Sequence, residues 1–294
     1  MTVTCDVRYG TDPLAPVSLP PLMARTDGRR SGAVGLVDGP VSAGHPGLAR
    51  AARLAFLGPS APAGADPDPA TLHGTSVAGM LVAARDSGAP GICPGAPLLV
   101  RSLSFAAAPG APGTAAADEL AAALVETVDA GARVVNVSLA LNARQHGGPG
   151  PLHEALEHAL RRGAVIVAAA GNQGALGGSP VLRHRSVVPV VAYGPAGPLG
   201  SSSLGPSIGR RGVGAVGTGV RSLAAGGGLR PFGGTSAAAA VVTGTLALLW
   251  SEFPRAEPVE LLAAVRASAA GRTSVAPPLL NAWEAYRTLR TADR

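Results

Sequence analysis

Three short runs place an acid, a base and a nucleophile in one chain: Val37-Asp38-Gly39, His73-Gly74-Thr75-Ser76-Val77-Ala78-Gly79 and Gly234-Thr235-Ser236-Ala237. A carboxylate that orients an imidazole, and an imidazole that takes the proton of a serine hydroxyl, make up an apparatus for acyl transfer. The flanks of these residues carry as much information as the residues themselves. His73 leads into Val77, Met80, Leu81 and Ala84, an apolar stripe at helical spacing, and the residues after Ser236 read as a second buried helix. Both His73 and Ser236 are therefore expected at helix N-termini. There, free amides and partial positive charge favour the anion formed when Ser236 attacks a carbonyl.

The elements that must position these side chains are legible as alternating patterns. Apolar runs at 33–37, 98–103, 134–139, 165–170 and 187–192 are short and near-continuous, as strands of a parallel sheet covered on both faces are. Helical patterns at 75–85, 118–130 and 152–162 lie between them. This alternation predicts an α/β, doubly wound fold with a mostly parallel central sheet and helices on both faces. Asp118 is expected to cap its helix, with Gly131 just beyond the end. In such a sheet the site lies beyond the carboxyl ends of the strands, and Asp38, Ser138 and Asn172 each follow a predicted strand.

The order Asp, His, Ser and the residues around them resemble the subtilisin-like serine proteases, peptidase family S8. The run Val165-Ile166-Val167-Ala168-Ala169-Ala170-Gly171-Asn172 is similar to the family's oxyanion-hole segment. Val134-Val135-Asn136-Val137-Ser138-Leu139-Ala140 is similar to its substrate-binding strand. The resemblance implies a triad of Asp38, His73 and Ser236, with the oxyanion held by the Asn172 side-chain amide and the Ser236 backbone amide. It also implies a peptide bound by strand addition along Ser138, Leu139 and Ala140, with Ala170 and Gly171 lining the same site.

The resemblance extends to Leu279-Leu280-Asn281-Ala282, with departures: Gly39-Pro40 where Ser/Thr-Gly is usual, Ser76 for a second histidine, Ala140 for glycine and Ala240 for proline. The stretch from Asp38 to Pro46 looks like proteases that mature cyanobactin-type ribosomal peptides. That implies a serine endopeptidase that processes a precursor peptide. Two alternatives remain at this point: a peptide ligase or macrocyclase using the same acyl-enzyme, and a non-catalytic pseudoprotease that binds peptide. The short interval between Asp38 and His73 favours cleavage over cyclisation, and retention of the triad favours catalysis.

Composition bounds the rest. With 47% hydrophobic and 14% charged residues, the 294-residue chain has the makings of a large buried core. Residues 1–30 are expected to form an N-terminal extension packing on or preceding the domain, and 31–294 one catalytic domain, since motifs spread from Asp38 to Ser236 must meet. The net charge of +6 comes from arginine without lysine; the pairs at 29–30, 161–162 and 210–211 are scattered and aromatics are 3%, so they read as solvated surface and not as a nucleic-acid site. The first 30 residues lack the apolar core of a signal peptide. The stretch 237–250 falls short of the ~20 residues that span a bilayer. A soluble cytoplasmic protein with no membrane partner is the expectation.

Cys5 and Cys93 make no disulfide framework, and Cys93 is read as a small buried hydrophobe. Gly212-Val213-Gly214-Ala215-Val216-Gly217 matches G-x-G-x-x-G, but no helical pattern follows, so it is read as strand and loop and not as a dinucleotide site. No cofactor and no metal are expected. His146, His153 and His158 lack ligand spacing and are read as surface residues, and Asp66, Asp68 and Asp86 are the only acids near His73 that could serve calcium.

Overall fold

The computed structural model describes residues 12–49, 51, 53–59, 68–104, 114–141, 150–268 and 275–292. In chain order its elements are α1 (Pro20–Arg25), β1 (Ala33–Asp38), β2 (Leu54–Phe56), α2 (Pro69–Val82), β3 (Leu98–Ser102), β4 (Thr114–Ala115), α3 (Ala117–Asp129), β5 (Ala132–Val137), β6 (Ala140–Leu141), α4 (Pro151–Arg161), β7 (Val165–Ala169), β8 (Val187–Gly194), β9 (Gly197–Pro198), α5 (Pro206–Arg211), β10 (Val213–Val216), β11 (Val220–Leu223), β12 (Leu229–Phe232), α6 (Gly234–Glu252), α7 (Pro258–Ala267) and α8 (Ala282–Ala292). The main sheet runs β10-β8-β7-β5-β1-β3-β2, parallel throughout, with β9 added antiparallel to β8.

The pleat of this sheet explains why its strands are apolar on both sides. Along β1, Val34 and Leu36 join the core shared with α2 and α6, while Val37 joins the core shared with α3 and α4. The fold is thus the doubly wound, mostly parallel α/β arrangement that the alternation of patterns predicts. The chain leaves β1 for β3 on one side and then crosses back to β5 on the other, so the direction of winding reverses at β1. The carboxyl end of β1, where Asp38 sits, is the switch point at which open α/β sheets form their clefts.

The structure corrects several local expectations. The helix carrying His73 starts at Pro69, not at 75, because Asp68 caps it by accepting hydrogen bonds from Ala70 N (2.7 Å) and Thr71 N (2.9 Å). His73 therefore lies in the second turn and not at an N-terminus. The Asp68 carboxylate is committed to that cap instead of to a cation, and Asp66 lies outside the described residues. Ala116, not Asp118, is the N-cap of α3, and Asp118 stands in its first turn. The edge strand β2 is half-buried and too short to leave an apolar signature.

Two long-range features complete the frame. Leu14, Val17, Leu19 and Leu22 are buried in the α2/α6 core. Beyond them Arg25 pairs with Glu252 at 2.9 Å, and the Thr26 and Ser251 hydroxyls lie 2.9 Å apart. The helix α6 has 19 residues and is apolar enough by composition to cross a membrane, yet it is almost wholly buried inside the fold. Cys93 is also fully buried, which pushes its thiol up to about 12. Cys5 lies outside the described residues. The glycine-rich run at 212–217 contributes β10 and is followed by β11, so it has no nucleotide-binding helix.

Candidate active site

Asp38 ends β1 with 1% of its surface exposed. Its Oδ1 accepts from the Gly39 amide at 2.7 Å and lies 2.7 Å from His73 Nδ1. On the other side of the ring, His73 Nε2 lies 2.9 Å from Ser236 Oγ. With the proton on Nδ1 held by the carboxylate, Nε2 is the acceptor for the Ser236 hydroxyl. The three residues join into one relay across 198 positions of sequence.

Backbone contact is what brings His73 so near Asp38. A Cβ on Gly74 would collide with Gly39 O and lie 2.6 Å from Pro40 O, and one on Gly39 would collide with Ala70 O. The helix α2 thus rests directly on the turn after β1. The contact is reinforced by the Ser42 amide donating to Thr75 Oγ1 at 2.9 Å. Ser76, which stands where the family pattern has a second histidine, places its hydroxyl 2.8 Å from Leu72 O and 2.9 Å from Leu223 O, linking α2 to β11. His45, in the stretch that follows Asp38, accepts from the Gly47 amide at Nδ1 and donates from Nε2 to Gly228 O, each at 3.0 Å. It ties that stretch to the β11–β12 turn.

The His73 pKa is raised above the ordinary histidine value. Burial opposes the charged ring, but the charge and hydrogen bond of Asp38 outweigh it, while Arg230 pulls the other way. Phe232 packs edge-on against the His73 ring with centroids 5.6 Å apart. Arg230 and Phe232 are alternate residues of β12 and so share one side of that strand. Sequence reasoning missed both, because β12 follows Gly226-Gly227-Gly228 and carries no apolar run of its own. The signal available was their position, a few residues before Ser236.

The start of α6 organises the predicted oxyanion group. Asn172 Oδ1 accepts from the Thr235 amide at 3.0 Å and from the Thr235 hydroxyl at 3.1 Å. The same hydroxyl accepts from Gly171 N at 3.3 Å. With Oδ1 committed, the Asn172 side chain offers its NH₂ as donor. Gly234 has φ +72°, and a Cβ there would lie 2.8 Å from Asn172 Oδ1, so both the turn and the fit demand glycine. Ser236, the third residue of α6, has 6% exposure and lies among the free amides of the first turn. Thr235 is a further residue that sequence reasoning passed over.

The remaining substrate-side residues lie at and beyond the ends of β5 and β7. β5 lies between β1 and β7, so its edges are filled, and Ala140 pairs with Thr114 of β4. The pairing positions of Val134–Val137 are therefore occupied on both sides. Ser138 and Leu139 belong to neither ladder. The Ser138 hydroxyl turns inward, accepting from Asn136 Nδ2 at 2.9 Å, while Asn136 Oδ1 accepts from Thr243 of α6 at 3.0 Å. Ala170 is buried, and Gly171 adopts φ +102° beside Asn172.

One surface assignment is corrected, and one histidine has neighbours that its spacing did not show. Arg211 is not a solvated surface arginine: its guanidinium donates to His184 O, and to Leu182 O at 2.7 Å. His153 stands at i, i+4 from Glu157, and both meet His184. His158 pairs with Asp129 at 2.8 Å, and His146 lies outside the described residues.

Residues 30–282 match the Subtilase family, peptidase S8. Fervidolysin of Fervidobacterium pennivorans is 32% identical over 231 residues, covering 68% of this chain but only 31% of fervidolysin. The chain thus spans about a third of that relative's length. A mutant of the protease domain of PatA is similar at 29% identity and a TM-score of 0.78, over 89% of this chain and 96% of its own. Prenylagaramide maturation protease PagA is similar at 25% identity and a TM-score of 0.80, over 92% of this chain and 98% of its own. The match over most of the sequence, together with a parallel sheet that joins Asp38, His73 and Ser236, leads to one conclusion: the chain belongs to the subtilase family.

Proposed function

We propose that this chain is a serine endopeptidase that matures a precursor peptide by hydrolysis. The observation that carries the reading is the unbroken relay from Asp38 through His73 to Ser236 at the start of a buried helix. In this reading His73 takes the Ser236 proton as Oγ attacks the scissile carbonyl, and returns it to the leaving amine. Asp38 holds the ring in the Nδ1–H tautomer and stabilises its charged form. The Asn172 NH₂ and the Ser236 amide receive the oxyanion, in an environment where such donors act without reorganising. Water then resolves the acyl-enzyme.

The substrate class is supported by likeness to PagA, whose name records peptide maturation and which the chain matches over 98% of that structure. The backbone at Ser138 and Leu139 and the side of β12 bearing Arg230 and Phe232 would receive the peptide. We place the enzyme in the cytoplasm, where a free buried thiol such as Cys93 is at home.

Labelling with a fluorophosphonate probe tests the chemistry: the wild type takes up one label, and Ser236→Ala takes up none. Mass spectrometry of a leader-containing peptide after incubation tests the class. Cleavage at one bond by the wild type supports maturation, whereas unselective digestion of unrelated peptides at equal rates overturns it.

A further inference from the structure

His153 and Glu157 stand one turn apart on α4, and His184 faces them from the loop before β8. Each offers one ligand atom, and these atoms lie within 4.8 Å of one another. The His184 side chain is 6% exposed, and its Nε2 lies 3.0 Å from Glu157 Oε1. Nevertheless Nε2 has no hydrogen-bond partner among the described residues, so close approach is not accompanied by the alignment of a hydrogen bond. On its other side, His184 Nδ1 lies 2.7 Å from Ser186 Oγ, whose hydroxyl in turn reaches Leu156 O at 3.5 Å. The Ser186 amide also donates to Nδ1 at 3.3 Å, so this side of the ring is held by both the backbone and the hydroxyl while Nε2 stands beside the carboxylate oxygen.

We propose that His153, Glu157 and His184 form a binding site for a zinc-class divalent transition-metal ion. Two imidazoles and one carboxylate suit such an ion, and three protein ligands leave a fourth position for water. Bonds of about 2.0–2.1 Å put tetrahedral ligands roughly 3.3 Å apart. Glu157 and His184 already meet this spacing, and the exposed His153 closes the remainder by a change of rotamer. The Nδ1–Ser186 contacts are outer partners that fix the orientation of a ligating histidine's ring. Arg185, at 2.9 and 2.7 Å from the two Glu157 oxygens, balances the carboxylate when the ion is absent. The ion would fasten α4 to the connection that runs from Asn172 to β8.

The test is a Zn²⁺ titration of the full chain against a chromophoric chelator, followed by Co²⁺ absorption spectroscopy. The wild type is expected to bind one equivalent, with affinity at least about tenfold weaker in His153→Ala and Glu157→Gln and unchanged in His158→Ala. Co²⁺ should give the strong visible bands of four-coordination in the wild type and lose them in His153→Ala, an exposed substitution that leaves the core intact. Equal Zn²⁺ affinity in the wild type and His153→Ala, or a Co²⁺ spectrum that this substitution does not change, overturns the proposal.

Discussion

Thr235 holds Asn172 by two hydrogen bonds to one oxygen, so the direction of the Asn172 NH₂ depends on this neighbour. Thr235→Val removes the hydroxyl link while keeping the shape, and kcat should fall about tenfold to 100-fold with little change in KM. Thr235→Ser should restore most of it; an equal loss in Ser and Val would mean that the methyl matters and the hydroxyl does not. The pH profile reads a second residue-scale effect. Only neutral His73 accepts the Ser236 proton, and its pKa is raised, so kcat/KM should climb as pH rises through a value above the ordinary 6.5 and be lost below it. Arg230→Gln removes a charge that resists protonation and should shift this limb to still higher pH. A limb that stays put would show that Arg230 does not face the ring.

At the scale of elements, the site depends on how closely α2 and α6 approach the sheet. Gly74→Ala would push α2 from the Gly39–Pro40 turn, costing about 1–3 kcal/mol on chemical denaturation and lengthening the His73–Asp38 contact. Thr243→Val leaves the buried Asn136 Oδ1 without its donor, at about 1–3 kcal/mol, and frees the end of β5 that carries Ser138. The strands and the cluster of Asp38, His73 and Ser236 were legible because continuous Val, Ile and Ala runs mark two-sided burial, and because each of these three residues adjoins such a run or a helix. The start of α2 was not, since its Asp68-Pro69 signal lies at the end of a proline-rich interval that reads as loop. The His153–Glu157 spacing was present in the sequence, but only folding brings His184 to it. Arg230 and Phe232 escaped for a similar reason: their role depends on a pairing of β12 with β11 that has no local apolar pattern.

Over the whole molecule, the segment before β1 behaves as part of the core. Leu14, Val17, Leu19 and Leu22 each bury a side chain worth about 1.5–3 kcal/mol, a gross sum comparable to the net stability of an ordinary domain. Deletion of residues 1–25 should therefore abolish soluble expression or lower the Tm steeply, as differential scanning fluorimetry would show. An unchanged Tm would mean that this segment is dispensable.

The contacts of Thr26 with Ser251 and of Arg25 with Glu252 also set an order of events during synthesis. Asp38 and His73 leave the ribosome long before α6, and α6 supplies both Ser236 and the central packing surface for β5, β7, β8 and β10. With so many contacts joining distant parts of the sequence, productive folding waits for nearly the entire chain. A nascent protein of this design is chemically silent: the step that creates the hydrolytic centre is the same step that closes its hydrophobic interior.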